Sequence, residues 1–268
     1  MKSFMLESFL FKRLQPIKRS SQHYFDKNDL HRFGVSVQEL NFDTGRLTNN
    51  TYPPLLELPH NERVKAAIYS IKPWKYDGWD EPNDLPRRYR HGEARPTNHC
   101  TETYYDDPIE FYRESGMLSD FIDGYLSCPR SKTDPDCVQR ISTWDQCLTD
   151  YGLRNSLRGY EQGGYMWCLQ KLYHPFVPNT ACVVDPYQPH AGCHLVDNTP
   201  KKEGTLRASE LKTICMVAVV SHHMPEFNHL PTYSVTVISI FDRQLRIIQA
   251  TVDFKELTFA ALYTMDAL

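Results

Sequence analysis

The stretch that decides the fold is TLRASELKTICMVAVVSHHMPEFNHLPTYSVTVISIFDRQLRIIQATVDF, residues 205–254. Its first part predicts a helix of about four turns, because apolar residues recur there at helical spacing. Its second part, after Pro225 and Pro231, is rich in β-branched side chains over residues 234–241 and 245–254. These two runs predict strands joined at residues 242–244. The stretch therefore predicts a helix followed by a β-hairpin that packs on it.

Two helices are predicted upstream of this stretch. Asn61 is a candidate N-cap, and Val64, Ala67 and Ile68 follow at the spacing of one helix face. The sequence Asp107-Pro108-Ile109-Glu110 has the residue types of a second helix start, with proline at the first helical position. Gly116 is expected to interrupt this second helix, after which an apolar stripe continues.

A third helix is predicted over residues 134–151. Five of its residues, counted at about 100° each, fall within about 40° on either side of the direction of Cys137; they are Cys137, Ile141, Trp144, Leu148 and Tyr151. We expect Trp144, Ile141 and Leu148 to be buried with Phe121 and Ile122 of the preceding helix, since these stripes have no other apolar face to cover.

The predicted fold class is α+β, with several short helices, a loop-rich cysteine-containing middle and a C-terminal β-hairpin. Residues 1–50 are polar, with weak periodicity, and predict a loosely ordered N-terminal arm. Residues 51–268 predict a single domain. Residues 152–204 are rich in glycine and proline and are expected to be mostly loop, with one short apolar run at residues 165–173.

Charge and leader patterns limit the classes of partner. The 30 basic and 33 acidic residues give a net charge of −3, so there is no clear nucleic-acid signal. Residues 1–10 contain Glu7 and lack a small-residue cleavage site, so they predict neither a signal peptide nor a membrane span. The expected location is intracellular, with no membrane partner and cytoplasm and nucleus left open.

Residues 206–253, with LRASELKTICM, SHHMPEFNH and YSVTVISIFDRQLRIIQATVDF, resemble a family of uncharacterised proteins from filamentous ascomycete fungi. The upstream segments VKAAIYSIKPWKYDGWDEPNDLP, YYDDPIEFYRE and GGYMWCLQKLYHPFVPNTACVVDPY are similar to it as well. The resemblance covers residues 34–255 and implies a fungal, intracellular protein without an assigned activity, cofactor or site. In that family more chain follows the hairpin than ELTFAALYTMDAL, which implies a shortened or altered C-terminus.

The cysteines allow three states of the middle region. Residues Cys128, Cys147, Cys182 and Cys193 are the candidate ligands of a structural zinc, although no two cysteines have the short spacing that such sites usually use. The spacing of Cys137 and Cys147 also fits half of a disulfide-linked helical hairpin. The favoured interpretation is free thiols, as expected in a reducing compartment, with Cys137 and Cys168 the least accessible.

A metal-dependent nuclease-like domain, degenerate or active, is the alternative function. Asp242, Asp253 and Lys255 lie on or beside the two predicted strands, and two carboxylates with a lysine could hold a metal ion and orient water. The same residues are ordinary at the turn and end of a solvated hairpin. Zinc as a structural cofactor is a further alternative.

Common catalytic motifs are missing from the sequence. It has no G-x-S-x-G, H-E-x-x-H or G-x-G-x-x-G pattern. Residues 73–106 combine prolines with Trp74, Tyr76 and Trp79, a chemistry typical of partner-binding surfaces. The preferred prediction is therefore a non-enzymatic, partner-binding protein.

Overall fold

A computed structural model of the chain describes residues 12, 15–41, 46–47, 62–69, 108–129, 136–146, 158–160, 165–177, 183–200, 202–241, 244–255 and 258–267. Its helices are α1 Gln15–Arg19, α2 Lys27–Arg32, α3 Glu62–Tyr69, α4 Pro108–Ser127, α5 Val138–Ser142 and α6 Ala208–His223. Its strands are β1 Tyr24–Phe25, β2 Val35–Asn41, β3 Arg46–Leu47, β4 Trp144–Gln146, β5 Arg158–Tyr160, β6 Met166–Pro175, β7 His190–Asp197, β8 Leu206–Arg207, β9 Thr232–Phe241, β10 Gln244–Asp253 and β11 Thr258–Ala267.

A mixed sheet forms the centre of the structure. Its strand order is β3-β2-β11-β10-β9-β7-β6-β4, and β5 pairs with the same edge of β6 as β4. The pairs β7·β9 and β2·β11 are parallel, whereas the remaining pairs of this sheet are antiparallel. Helix α6 connects β7 to β9, so β7-α6-β9 is a βαβ crossover within the sheet.

The predicted hairpin is confirmed. Strands β9 and β10 pair antiparallel from Thr232↔Asp253 to Phe241↔Gln244. Along β9, Tyr233, Val235 and Val237 are buried and alternate with half-buried residues. This buried face packs on α6, the helix predicted from Leu206 onward, and the α+β class is confirmed with it.

Residues 15–41 contribute directly to the core. Ile17, Phe25, Leu30 and Val35 are at most 2% exposed and belong to the same apolar cluster as α6. Strand β1 pairs with β8, and β2 adds to the sheet beside β11. The described part of the N-terminal arm is thus more ordered than its polar sequence predicts, because a few well-spaced apolar residues are enough to anchor it.

The predicted third helix and its core are wrong. Helix α5 ends after Ser142, where Thr143 takes a left-handed backbone conformation with φ 63°. Trp144 then begins a strand that pairs with Pro175. Trp144, Ile141 and Ile122 are only partly buried and Phe121 is 38% exposed, while Leu148 lies outside the described residues. Residues on both sides of Thr143 have the spacing of one helix face. The turn at Thr143 nevertheless places Ile141 in a helix and Trp144 in a strand.

Two further expectations differ from the structure. Helix α4 begins at Pro108 as predicted, but it continues past Gly116 to Ser127 and is 20 residues long. Gly116 lies against β6, where a Cβ atom would be 3.8 Å from Nε2 of Gln170. Residues 152–204, expected to be mostly loop, contain the long strands β6 and β7. None of the described helices is long and apolar enough to cross a membrane.

Phe25→Ala tests whether the N-terminal segment is part of the core. Phe25 is fully buried and packs edge-to-face on Phe33 at 5.4 Å between ring centroids. We expect the substitution to lower the free energy of unfolding by about 3–5 kcal/mol, measured by urea denaturation. Lys27→Ala, at an exposed position of α2, is the control and should change it by less than about 0.5 kcal/mol. A Phe25→Ala protein as stable as the control would contradict this packing.

Candidate functional site: the α3–α4 surface

Helix α4 packs on the sheet with its small and polar side chains. Ser115 and Ser119 are fully buried, and Gly116 lies against β6 on the same side of the helix. These residues recur three or four positions apart, so they form one continuous stripe. The apolar stripe that the sequence predicted for the core is therefore rotated away from the sheet.

The other side of α4 forms an exposed apolar surface with the end of α3. Phe121 lies about 160° around the helix from Ser119 and is 38% exposed. One turn further along α4, the Tyr125 hydroxyl donates a hydrogen bond of 3.2 Å to the carbonyl of Ile68. Ile68 is 47% and Tyr69 is 81% exposed. We call Ile68, Tyr69, Phe121 and Tyr125 the α3–α4 surface.

Charged residues flank this surface. Arg63 of α3 binds Asp136 with 2.7 Å between Nη2 and Oδ2, and Arg140 of α5 lies 3.9 Å from the same carboxylate. On α4, the Asp120 side chain is 67% exposed and pairs with Lys171 of β6 at 3.2 Å. An apolar centre with a charged rim is the usual composition of a protein-binding patch.

Beneath α4 lies a buried serine–histidine pair. Ser119 Oγ and His194 Nδ1 are 3.0 Å apart, the distance at which hydrolases couple a nucleophile to its base. Ser119 is 0% and His194 is 1% exposed, so no substrate can reach the pair while α4 is docked. Burial also lowers the pKa of His194 to about 4, which makes it a poor proton acceptor near neutral pH. The pair therefore attaches α4 to the sheet.

A second polar cluster is buried at the start of α6. Glu210 is fully buried, and its Oε2 accepts hydrogen bonds from the backbone N–H of Arg207 at 2.8 Å and from Arg246 Nη1 at 3.2 Å. Asp197 is also fully buried and accepts a hydrogen bond from the Ser209 hydroxyl. Burial raises the pKa of Asp197. The positive charge of Arg207 and the hydrogen bonds that Asp197 accepts oppose this shift.

This cluster lies where parallel sheets often bind ligands, at the carboxyl ends of β7 and β9 and the N-terminus of the crossover helix. Here the charged groups bind one another, and strand β1 covers the site by pairing with β8. Its residues are therefore placed to hold α6 on the sheet.

The candidate nuclease residues lie at the hairpin's ends. Asp253 ends β10 and accepts a hydrogen bond of 2.8 Å from the backbone N–H of Lys255, whose side chain is exposed. Asp242 lies outside the described residues, but its neighbours Phe241 and Gln244 pair at the other end of the hairpin. Nine residues of extended strand, about 30 Å, separate Gln244 from Asp253.

Two of the four candidate zinc ligands lie within the described residues. Cys128 follows α4, Cys193 lies in the core on β7, and Cys147 and Cys182 are outside the described residues. No group of three metal-ligating side chains occurs in the part of the chain that the structure describes. The five described cysteines, Cys128, Cys137, Cys168, Cys193 and Cys215, form no disulfide with one another.

Among the described cysteines, Cys137 and Cys168 are not the least accessible, contrary to the prediction. Cys137 is buried as expected, but Cys168 is half-buried and contacts the hydroxyl of Tyr112. In a strand, Cys168 faces away from its buried neighbours Trp167 and Leu169. Cys193 and Cys215 are less accessible, at 1% and 0% exposure, and burial raises the pKa of the Cys215 thiol to about 12.

The sequence did contain a signal for the α3–α4 surface. Ser115, Ser119 and Asp123 recur every four residues in α4, a period that fits a buried polar stripe as well as a solvated one. His190 and His194 are four residues apart, which places them on one face of a strand. These patterns predict a contact only once the fold shows that the polar stripe of α4 faces the strand that carries both histidines.

Glu210→Ala tests the buried cluster at α6. Removal of this carboxylate leaves the guanidinium groups of Arg207 and Arg246 buried without their shared partner. We expect a loss of about 3–5 kcal/mol in the free energy of unfolding, measured by urea denaturation. Glu203→Ala, at an exposed turn, should have little effect. A loss below about 1 kcal/mol for Glu210→Ala would show that the arginines are satisfied without it.

Comparison of the chain with protein-family models, with curated proteins and with solved structures finds no match.

Proposed function

We propose that this protein binds another protein through the α3–α4 surface. The observation that carries the proposal is the orientation of α4, which buries Ser115 and Ser119 and leaves Phe121 exposed one turn before Tyr125, whose hydroxyl binds the carbonyl of the exposed Ile68. Covering a large apolar side chain stabilises a protein by about 1.5–3 kcal/mol. A helix that turns such residues outward gives up this stabilisation, which a bound partner can restore.

The distribution of exposed apolar residues supports the same surface. Five large apolar side chains are strongly exposed in the described part of the chain, and Ile68, Tyr69 and Phe121 are three of them. The other two, Val183 and Tyr187, lie in the segment before β7. Tyrosine is among the residues that most often dominate binding energy at protein interfaces.

The aromatic, proline-rich residues 73–106 give independent support from the sequence. They follow α3 directly in the chain and lie outside the described residues. Their composition predicts a partner-binding segment.

The test is affinity purification from the source organism with quantitative mass spectrometry. Wild-type protein is compared with the double variant Tyr69→Ser/Phe121→Ser, and with Val183→Ser/Tyr187→Ser as the matched control. Loss of two central residues should weaken a specific complex about 30-fold or more, so a protein captured by the wild type and the control should be lost from the first variant. Circular dichroism checks that both variants are folded.

Two results would contradict the proposal. One is a wild-type sample that contains no other protein above background. The other is a co-purifying protein that is retained equally by Tyr69→Ser/Phe121→Ser.

A further inference from the structure

The contact between α4 and the sheet is held by polar groups. The Tyr173 hydroxyl of β6 donates a hydrogen bond of 2.6 Å to Asp123 Oδ1, and Lys171 Nζ lies 3.3 Å from Asp123 Oδ2. Ser119 adds its hydrogen bond to His194 of β7. Such contacts depend on the charge states of the groups that make them, unlike the apolar packing of α6.

His194 is the group most tightly enclosed in this contact. Helix α4 covers it with Ser119 and brings Asp120 and Asp123 near it, and β6 places Lys171 opposite it in register and the Tyr173 ring 5.3 Å away. On its own strand His190 shares its face, and on β9 Ile238 is its partner in register. An imidazolium here would lie beside an ammonium group in a site without water contact.

We propose that α4 is a pH-sensitive docking helix, and that protonation of His194 releases it from the sheet. On protonation both ring nitrogens carry a hydrogen, so Nδ1 can only donate to the Ser119 oxygen and the ring takes a positive charge. The charged ring also needs solvent, which it can reach only when α4 moves away. Release of α4 would separate Phe121 from Ile68 and Tyr69 and so divide the α3–α4 surface. That consequence rests on the proposed function, whereas release of the helix does not.

The direction of the effect follows from the charge state that docking favours. Burial lowers the pKa of His194 to about 4, Lys171 adds to the shift, and Asp123 and a hydrogen bond with Ser119 oppose it. In the released helix the ordinary histidine pKa of about 6.5 applies. Docking is therefore strongest above about pH 6.5 and weakens as pH falls toward 4. Between pH 7 and pH 5 the equilibrium constant for release should rise about twentyfold.

Hydrogen–deuterium exchange of the full chain, without any partner, tests the proposal. Exchange of α4 peptides at pH 7 and pH 5 is corrected for the intrinsic rate and compared with that of α6 peptides. We expect the opening equilibrium of α4 to increase about twentyfold and to stay well above that of α6, because α6 opens by general unfolding, which also exposes His194. Equal opening equilibria in the two helices would mean that α4 exchanges only by general unfolding and would overturn the proposal.

Variants assign the effect to His194. His194→Gln keeps a hydrogen-bonding side chain that cannot be protonated, so the pH dependence of α4 should disappear. His223→Gln, at an exposed position at the end of α6, is the matched control and should keep it. An unchanged pH dependence in His194→Gln overturns the proposal.

A second variant covers the case in which His194→Gln does not fold. Ser119→Ala removes the hydrogen bond to His194 with little change in volume. Opening of α4 should then increase several-fold already at pH 7, with α6 unchanged. Equal protection of α4 in Ser119→Ala and wild type would show that this contact does not hold the helix.

Discussion

The burial of α6 is the constraint on which the structure depends. Nearly every side of this helix is buried, from Ala208 and Leu211 near its start to Val219 near its end. A helix that is apolar all round needs cover on both sides. Strands β7, β9 and β10 supply one side, and the N-terminal segment with Ile17 supplies another. At the start of α6, Glu210 Oε2 accepts hydrogen bonds from the Arg207 backbone and from the Arg246 side chain.

The elements that could be predicted are those whose sequence pattern is local. Helix α6 and the β9–β10 hairpin follow from spacing and β-branched content within one stretch. Strands β6 and β7 could not be predicted in this way, because they are paired on both edges and carry histidine, cysteine and glycine at positions such as Gly192 and His194. At Gly192 a Cβ would lie 3.2 Å from the Trp144 ring, a contact between residues far apart in the chain.

The α3–α4 surface shows why the candidate binding surface was harder to predict than the fold. Periodicity in α4 predicts an apolar stripe at Phe121, and it is present, but the pattern alone does not show which stripe faces the sheet. That choice is made by His194, Tyr173 and Lys171, which offer hydrogen bonds to Ser119 and Asp123. Phe121 of α4 is thus exposed because polar residues on β6 and β7 bind the opposite side of the helix.

The parallel pairing of β2 with β11 joins residues that are distant in the chain. Val35 lies opposite Phe259, with more than two hundred residues between them. Closing such a long loop costs conformational entropy, so contacts of this kind form slowly. They form after pairs that lie nearer in the chain are in place. During synthesis β2 leaves the ribosome long before β11 exists, so only its edge toward β3 can pair at that stage. We therefore expect closure of this part of the sheet to be a late step in folding, after β9 and β10 have packed on α6.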